Sequence, residues 1–311
     1  MVNLNKLTYL KWLGNKRKLL RLLVDRLPSS FLDYHEPFAG SGALFFYLVR
    51  RDISRNASRR NDCMQSHTSP CGWARRYFLC DRESRLINCH KVVASHLDSL
   101  LVELERFDAR HRSEGKSFFL EQRKLMVPIK NPGDDVQAAA RFIYFNRASW
   151  RGVLRSNGRG EINTPMSKEQ FKGFGGMDLP SCSSHLKIAS IWCGDYSSIS
   201  PRPGDFVFID PPYYPLSATA DFTGYGMESW KDEDHERLFE WLKFLDATGV
   251  KFMMTNNDVS FVRKRTDGFC QDTLDVHRFI DAMKYADGSK KDKRVHHKEL
   301  IVRNYGRPEE I

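Results

Sequence analysis

Two consecutive prolines, Pro211 and Pro212, follow directly on the apolar run Phe206-Val-Phe-Ile209 and the acid Asp210, and they fix where that run must stop. Proline holds φ at about −65° and has no N–H to offer a sheet. A short β-branched and aromatic run that ends this way reads as a buried strand. It delivers the Asp210 carboxylate at its C-terminal edge. The carbonyls beside the prolines are then free to accept hydrogen bonds from something other than protein. The next residue, Tyr213, adds a flat aromatic face. An acceptor-rich notch beside an aromatic plate suits a planar ring with an exocyclic amino group, such as adenine. A proline-terminated strand with a core tyrosine is the plainer reading of the same residues, so the rest of the chain has to decide.

The chain around this motif has an α/β rhythm. A strand is expected within Phe31-Leu-Asp-Tyr-His-Glu-Pro37, then the turn Phe38-Ala-Gly40-Ser-Gly42, then a helix opening at Ala43-Leu-Phe-Phe-Tyr. Arg76-Tyr-Phe-Leu-Cys80 reads as a second strand ending at Asp81, followed by an amphipathic helix to Leu100. Further strands are expected at Leu186 to Trp192, Phe206 to Ile209 and Val250 to Met254, with a helix from Asp232 to Leu245. Two late strands are expected at Thr273 to Ile280 and Glu299 to Val302. Strands alternating with helices imply a mostly parallel, doubly wound sheet. Residues 52–72 break the rhythm and read as a surface insertion, and 103–180 as an inserted, mainly helical module. The catalytic domain would then comprise 1–102 and 181–311.

Composition narrows the class without deciding it. With 311 residues, 41% hydrophobic and 28% charged, the chain is expected to be globular. No apolar run approaches the roughly 18 residues of a membrane span. The start, Met1-Val-Asn-Leu-Asn-Lys, lacks a secretory h-region. Seven scattered cysteines fit reduced thiols in a cytoplasm. A net charge of +10 points towards a polyanionic partner. Cys63-x3-His67-x3-Cys71 has a metal-like spacing, but a fourth ligand is missing and no metal is expected.

In a doubly wound sheet, ligands sit outside the carboxyl ends of the strands, at the point where strand order reverses. The glycine turn, Asp81 and Asp210 all fall at such ends. Glycine permits close backbone approach, and a strand-terminal acid accepts hydrogen bonds from ribose hydroxyls. Together they argue for a nucleoside-bearing cofactor. The turn is not Gly-x-Gly-x-x-Gly, which disfavours nicotinamide.

These residues resemble the Dam-type DNA adenine-N6 methyltransferases, of the α group of amino-methyltransferases. Lys11-Trp-Leu-Gly14-Asn-Lys16 resembles the family's N-terminal cofactor motif, Glu36-Pro-Phe-Ala-Gly-Ser-Gly42 its glycine turn, and Asp210-Pro-Pro-Tyr213 its catalytic motif. Pro215-Leu-Ser-Ala-Thr219-Ala-Asp-Phe222-Thr-Gly-Tyr225 resembles the Dam branch in particular. The resemblance implies a Rossmann-like, S-adenosylmethionine-dependent methyltransferase acting on double-stranded DNA as a monomer. It implies cofactor contacts at Trp12, Lys16, Phe38, Gly40, Asp81 and Asp210, and at Asp195 of Trp192-Cys-Gly-Asp195-Tyr196. Asp210, Pro211, Pro212 and Tyr213 would be catalytic.

The module at 103–180 should then read DNA. Between Arg141 and Gly160 lie five arginines and no acid, interleaved with aromatics. Arginines grip phosphates or pair with guanine, and an aromatic can wedge into a base stack. A solvated basic loop over an aromatic core formed by Phe142, Tyr144 and Phe145 is the alternative. Asn146 to Arg155 with Gly160 to Pro165 resembles the Dam recognition hairpin, with Arg147, Trp150, Arg151, Val153, Arg155 and Pro165 as DNA-binding residues. Trp150 stands at the intercalating position and Arg155 at a base-reading one. Arg151 replaces the usual Asn, and Met166-Ser167 the usual aromatic-Gly. GATC is the target by analogy alone. Lys290-Lys-Asp-Lys-Arg294 reads equally as a phosphate-touching loop or a solvated charge run.

Overall fold

A computed structural model describes residues 7–12, 14, 16–58, 74–157, 159–216, 230–279 and 294–306. Seven strands form one sheet in the order β3-β2-β1-β4-β5-β7-β6. They are β1 (Tyr34–Glu36), β2 (Tyr77–Asp81), β3 (Ala189–Cys193), β4 (Phe206–Ile209), β5 (Lys251–Asn257), β6 (Cys270–Phe279) and β7 (Arg294–Arg303). The first five run parallel, and β7 inserts antiparallel between β5 and β6. The sheet is mostly parallel, as the α/β rhythm requires. Strand order reverses between β1 and β4, which pair through Tyr34↔Phe206 and His35↔Val207. The glycine turn after β1 and the acid after β4 therefore lie side by side.

Alternate residues of the central strands feed two cores, one on each face of the sheet. Tyr34, Leu79, Phe206, Phe208, Met253 and Ile301 pack into one core. Val207, Ile209, Phe252, Met254 and Val302 pack into the other, beneath α8 (Asp232–Ala247). Buried on both sides, β4 is apolar throughout and carries no polar residue until Asp210.

The helices depart from expectation in detail. The helix after β1, α2 (Ala43–Ser58), runs on into the segment read as an insertion, and its buried Asp52 accepts a hydrogen bond from Tyr77. Residues 59–73, with the Cys63, His67 and Cys71 spacing, lie outside the described residues, as do 217–229 and 280–293. The expected helix after β2 is two helices, α3 (Ser84–Ser95) and α4 (Leu97–Glu114), broken at His96 with φ −130° and ψ 37°. Leu186, read as a strand start, instead ends the helix Leu179–Leu186, which Asp178 caps and Pro180 opens.

The helices between β2 and β3 share a core with the sheet. Val136–Ala148, here α6, packs on both α3 and α4. Phe107, Phe118, Phe142, Tyr144 and Phe145 belong to the same core as Tyr34 and Phe206. Beyond α6 the chain forms a two-stranded ribbon, with bridges Ser149↔Met166 and Ser156↔Ile162 and the bonds Trp150 N→Pro165 O (2.9 Å) and Asn163 N→Arg155 O (2.8 Å). Gly152, Leu154, Ile162 and Thr164 face inward, while Trp150, Arg151, Arg155 and Pro165 face out.

At the opposite end of the strands, buried Asp205 ties β1 to β4. It accepts from Asp33 N (3.1 Å), His35 Nε2 (3.1 Å) and Arg202 N (2.8 Å). Asp205→Ala leaves these donors without an acceptor. It should lower the unfolding free energy by about 2–4 kcal/mol, read from urea melts, with Asp205→Asn losing less.

Candidate active site

Asp210 stands at the carboxyl end of β4 with its side chain only 20% exposed. Lys16 Nζ lies 2.7 Å from its Oδ1, and Thr255 on β5 donates to the same oxygen at 2.8 Å. Among the described residues none hydrogen-bonds Oδ2. Burial pushes the Asp210 carboxyl up, and the Lys16 charge and the Thr255 bond oppose that rise. Lys16 also donates to Gly14 O at 2.8 Å, and its ammonium sits 4.8 Å above the centre of the Tyr213 ring. The ring is held in turn by Tyr213 OH→Glu299 Oε2 at 3.0 Å. One cation thus joins the N-terminal motif, the acid and the aromatic plate.

The proline segment is clamped from β5. Asn256 Oδ1 accepts from Tyr214 N (3.0 Å), and Asn257 Nδ2 donates to Tyr214 O (2.6 Å). Tyr214 itself stacks on Phe261 at 4.1 Å. The Pro211-Pro212 carbonyls are therefore carried on a backbone fixed at both sides.

The glycine turn lies next door. Gly40 and Gly42 have φ of +47° and +65°, a region that side chains rarely tolerate. A Cβ on Gly40 would also meet Trp12 Cδ1 at 2.7 Å. The Asp81 carboxylate accepts from Gly40 N (2.9 Å) and Glu83 N (3.0 Å), yet burial raises its pKa to about 6. A single acid at the end of β2 therefore braces the turn and keeps lone pairs for further donors. Behind the turn, His90 Nε2 lies 2.8 Å from Gly40 O, and His90 Nδ1 lies 2.7 Å from Tyr9 OH. A carbonyl only accepts, so Nε2 carries the proton and Nδ1 accepts from the tyrosine. Burial lowers the His90 pKa to about 4, which keeps the ring neutral.

The remaining predicted cofactor residues are placed less directly. Phe38 packs on Tyr196 (5.4 Å) and edge-on to Trp230 (5.7 Å). Asp195 accepts from Ser197 N and Oγ and pairs with Arg237 at 3.2 Å. In the ribbon, Trp150 is 45% exposed, with the Arg151 guanidinium 4.8 Å from its ring centre. Arg155 is exposed and aligned by Nε→Asn163 Oδ1 at 3.0 Å, and Val153 is half-buried between them. Arg147 is directed inward, donating to Gly173 O at 2.8 Å, and Arg141 donates to Gln122 Oε1 at 3.0 Å.

The chain matches the sequence profile of the D12 class N6 adenine-specific DNA methyltransferases over residues 12–67 and 72–278. It belongs to that family. It is 30% identical over 310 residues to the type II methyltransferase M.MjaIII of Methanocaldococcus jannaschii, covering 96% of this chain and 98% of that one. It is 27% identical over 258 residues to the DNA adenine methylase of Escherichia coli K12, covering 82% of each. The DNA N-6-adenine-methyltransferase of Escherichia phage P1 is 27% identical over 87% of this chain and 32% of its own length. The protein is accordingly an adenine-specific DNA methyltransferase. No helix among the described residues is long and apolar enough to cross a membrane.

Thr255, Asn256, Glu299, His90 and Tyr9 escaped the reading of the sequence. The only signal for the first two was a polar Thr-Asn-Asn directly after the apolar Phe252-Met-Met254. Glu36 escaped as a charged group. It is 3% exposed, accepts from Tyr34 OH at 2.8 Å, and burial raises its pKa to about 8, with Asp210 adding to the rise. A carboxyl raised above its unfolded value stabilises the fold most at low pH, and that contribution is lost as pH rises through the folded value. The melting temperature of the Glu36→Gln variant, relative to the parent, should therefore climb from about pH 5 to about pH 8 and level off above, in thermal scans run at about one-unit intervals. A constant difference across that range would show that Glu36 ionises normally.

Proposed function

We propose that the protein transfers the methyl of S-adenosylmethionine to N6 of an adenine flipped out of duplex DNA, with Asp210 as the residue that receives the amino group. The reading rests on one observation: a buried carboxylate with one oxygen doubly bonded by Lys16 and Thr255, beside a clamped proline backbone and a tethered tyrosine ring.

The residues at the strand ends fit the cofactor. Asp81 offers acceptors suited to vicinal ribose hydroxyls, the Gly40 turn admits close approach, and Trp12 and Phe38 supply apolar surface beside it. Bound there, S-adenosylmethionine supplies an electrophilic methyl group on a sulfonium. Asp195 and its arginine partners lie farther along the same edge and would face the adenine end.

The chemistry falls to Asp210 and its neighbours. The lone pair of an adenine amino group is delocalised into the ring, which makes N6 a weak nucleophile. Hydrogen bonds from the two amino protons to Asp210 Oδ2 and the Pro211 carbonyl would draw the nitrogen towards sp³ and localise the pair. Pro212 keeps that carbonyl from being turned away, and Tyr213 stacks on the base. Stacking of this kind contributes about 1–3 kcal/mol. Lys16 and Thr255 oppose the rise that burial imposes on the Asp210 carboxyl. Alignment and electrostatics then supply the rate enhancement, with no covalent enzyme intermediate.

A base in a duplex is out of reach of such a notch, which makes extrusion necessary. The ribbon at 148–167 is the element proposed to meet DNA. Trp150 would fill the gap in the stack, Arg155 and Arg151 would reach base edges or phosphate, and Val153 and Pro165 would contact the groove. Arg147 would act from behind by bracing the segment at Gly173. A GATC-like target follows by analogy with the adenine methylases.

Asp210→Ala should abolish methyl transfer from labelled S-adenosylmethionine while DNA retention on a filter stays within about threefold, a change of less than 1 kcal/mol. Measurable turnover would refute the assignment. Trp150→Ala should slow the rise in 2-aminopurine fluorescence at the target base. Single-molecule sequencing of DNA from a methylation-free host expressing the protein should show N6-methyladenine at one short motif. Methyl marks on cytosine would overturn the acceptor.

A further inference from the structure

The N-terminal segment, described at 7–12, 14 and 16, touches several parts of the proposed reaction. Trp12 lies over Gly40, and Tyr9 reaches the same glycine through His90. Lys16 pairs with Asp210. Its fourth attachment has no part in the chemistry above. Asn146, at the end of α6 and 4% exposed, accepts from Lys11 N at 2.9 Å and donates to Lys11 O at 2.6 Å. The same Nδ2 donates to Gly152 O at 3.1 Å, in the turn that carries Trp150 and Arg151. Three hydrogen bonds from one buried carboxamide therefore lock the cofactor-side segment to the recognition ribbon.

The fit on the ribbon side is tight. Gly152 has φ +71°, and a Cβ there would meet Asn146 O at 2.6 Å and Lys11 Cβ at 3.1 Å. A buried amide with both ends occupied has one orientation, because rotating it would set like groups against like. A displacement of Lys11 is thus transmitted to Gly152 rather than absorbed.

We infer that Asn146 is a positioning residue that couples cofactor binding to DNA recognition: occupation of the site beneath Trp12 and Lys16 sets the ribbon turn, and DNA on the ribbon tightens the cofactor site. This rests on the proposed function, since it requires both ligands to bind where that reading puts them. Coupling of binding is reciprocal by thermodynamic necessity, so it can be read from either side.

The test measures S-adenosylhomocysteine affinity by calorimetry, with and without excess sheared DNA from a methylation-free host. For the parent protein DNA should tighten binding by about 5-fold or more, within the usual range for coupled sites. Asn146→Ala should bring that ratio to within about 2-fold of unity while the affinity measured without DNA changes less. Gly152→Ala, which strains the same contact from the other side, should do likewise. A merely structural role would lower the melting temperature or weaken both ligands equally and leave the ratio intact, and that outcome overturns the inference. Should neither variant fold, hydrogen exchange on the parent decides. S-adenosylhomocysteine should slow exchange of the ribbon amides at 149–167, and unchanged exchange there overturns the coupling. A parent protein that binds no S-adenosylhomocysteine would instead overturn the proposed function.

Discussion

A carboxylate at the end of a strand buried on both faces can stay charged only if something compensates it, and Lys16 does so at 2.7 Å from a position itself 5% exposed. Neither charge is tolerable alone. Removing one partner of such a pair strands the other in a poorly solvated place, at a cost of about 3–5 kcal/mol. The pair therefore does more than hold one acid. It holds Lys16 at the strand ends, with Trp12 over the glycine turn and Lys11 against α6. The same ammonium, seated over the Tyr213 ring, ties the aromatic plate to the acid it stands beside. Sheet edge, N-terminal segment and α6 meet around that charge.

What could be read from the chain was whatever local stereochemistry enforces. Pro211-Pro212 had to end a strand, Gly40 and Gly42 had to make a turn at positive φ, and Asp81 had to fall at a strand end. The site followed because a doubly wound sheet gathers those ends at one place. The supporting groups could not be read. Glu299 meets Tyr213 across 86 residues, Thr255 meets Asp210 across 45, and Asn146 meets Lys11 across 135. Each is an ordinary polar residue until the fold removes it from water. Boundaries failed where two patterns competed: Leu186-Lys-Ile-Ala has the apolar alternation of a strand, but Asp178 and Pro180 had already started a helix that claims Leu186.

The arginine-rich stretch shows how far composition misleads on its own. Five arginines without an acid between 141 and 160 read as a surface for polyanions. Folding divides them. Arg141 and Arg147 turn inward to Gln122 and Gly173, where they hold the module together. Arg151, Arg155 and Arg159 remain exposed on the ribbon. The inward pair lies on the helix and the exposed group on the ribbon, so the split follows secondary structure. Place in the fold, rather than charge density, decides which of these cations face outward.

Arg151 sets the limit of that rule. Among the described residues it is the only one other than glycine with positive φ, at φ 57° and ψ 7°. An L-residue there costs roughly 1–2 kcal/mol relative to its ordinary backbone. The stacking of its guanidinium on exposed Trp150 returns about 0.5–1 kcal/mol. That stacking alone falls short of the strain. The geometry is imposed from outside, by Gly152 N→Ser149 O at 3.2 Å and by the Asn146 clasp beneath. Because the backbone is set by neighbours, the side chain at 151 can change without changing the frame. Asn, the residue usual in the resembling family, is better tolerated at positive φ than Arg. In the proposed interface the Arg151 guanidinium stands beside the wedge, stacked on Trp150 on a backbone that its neighbours hold.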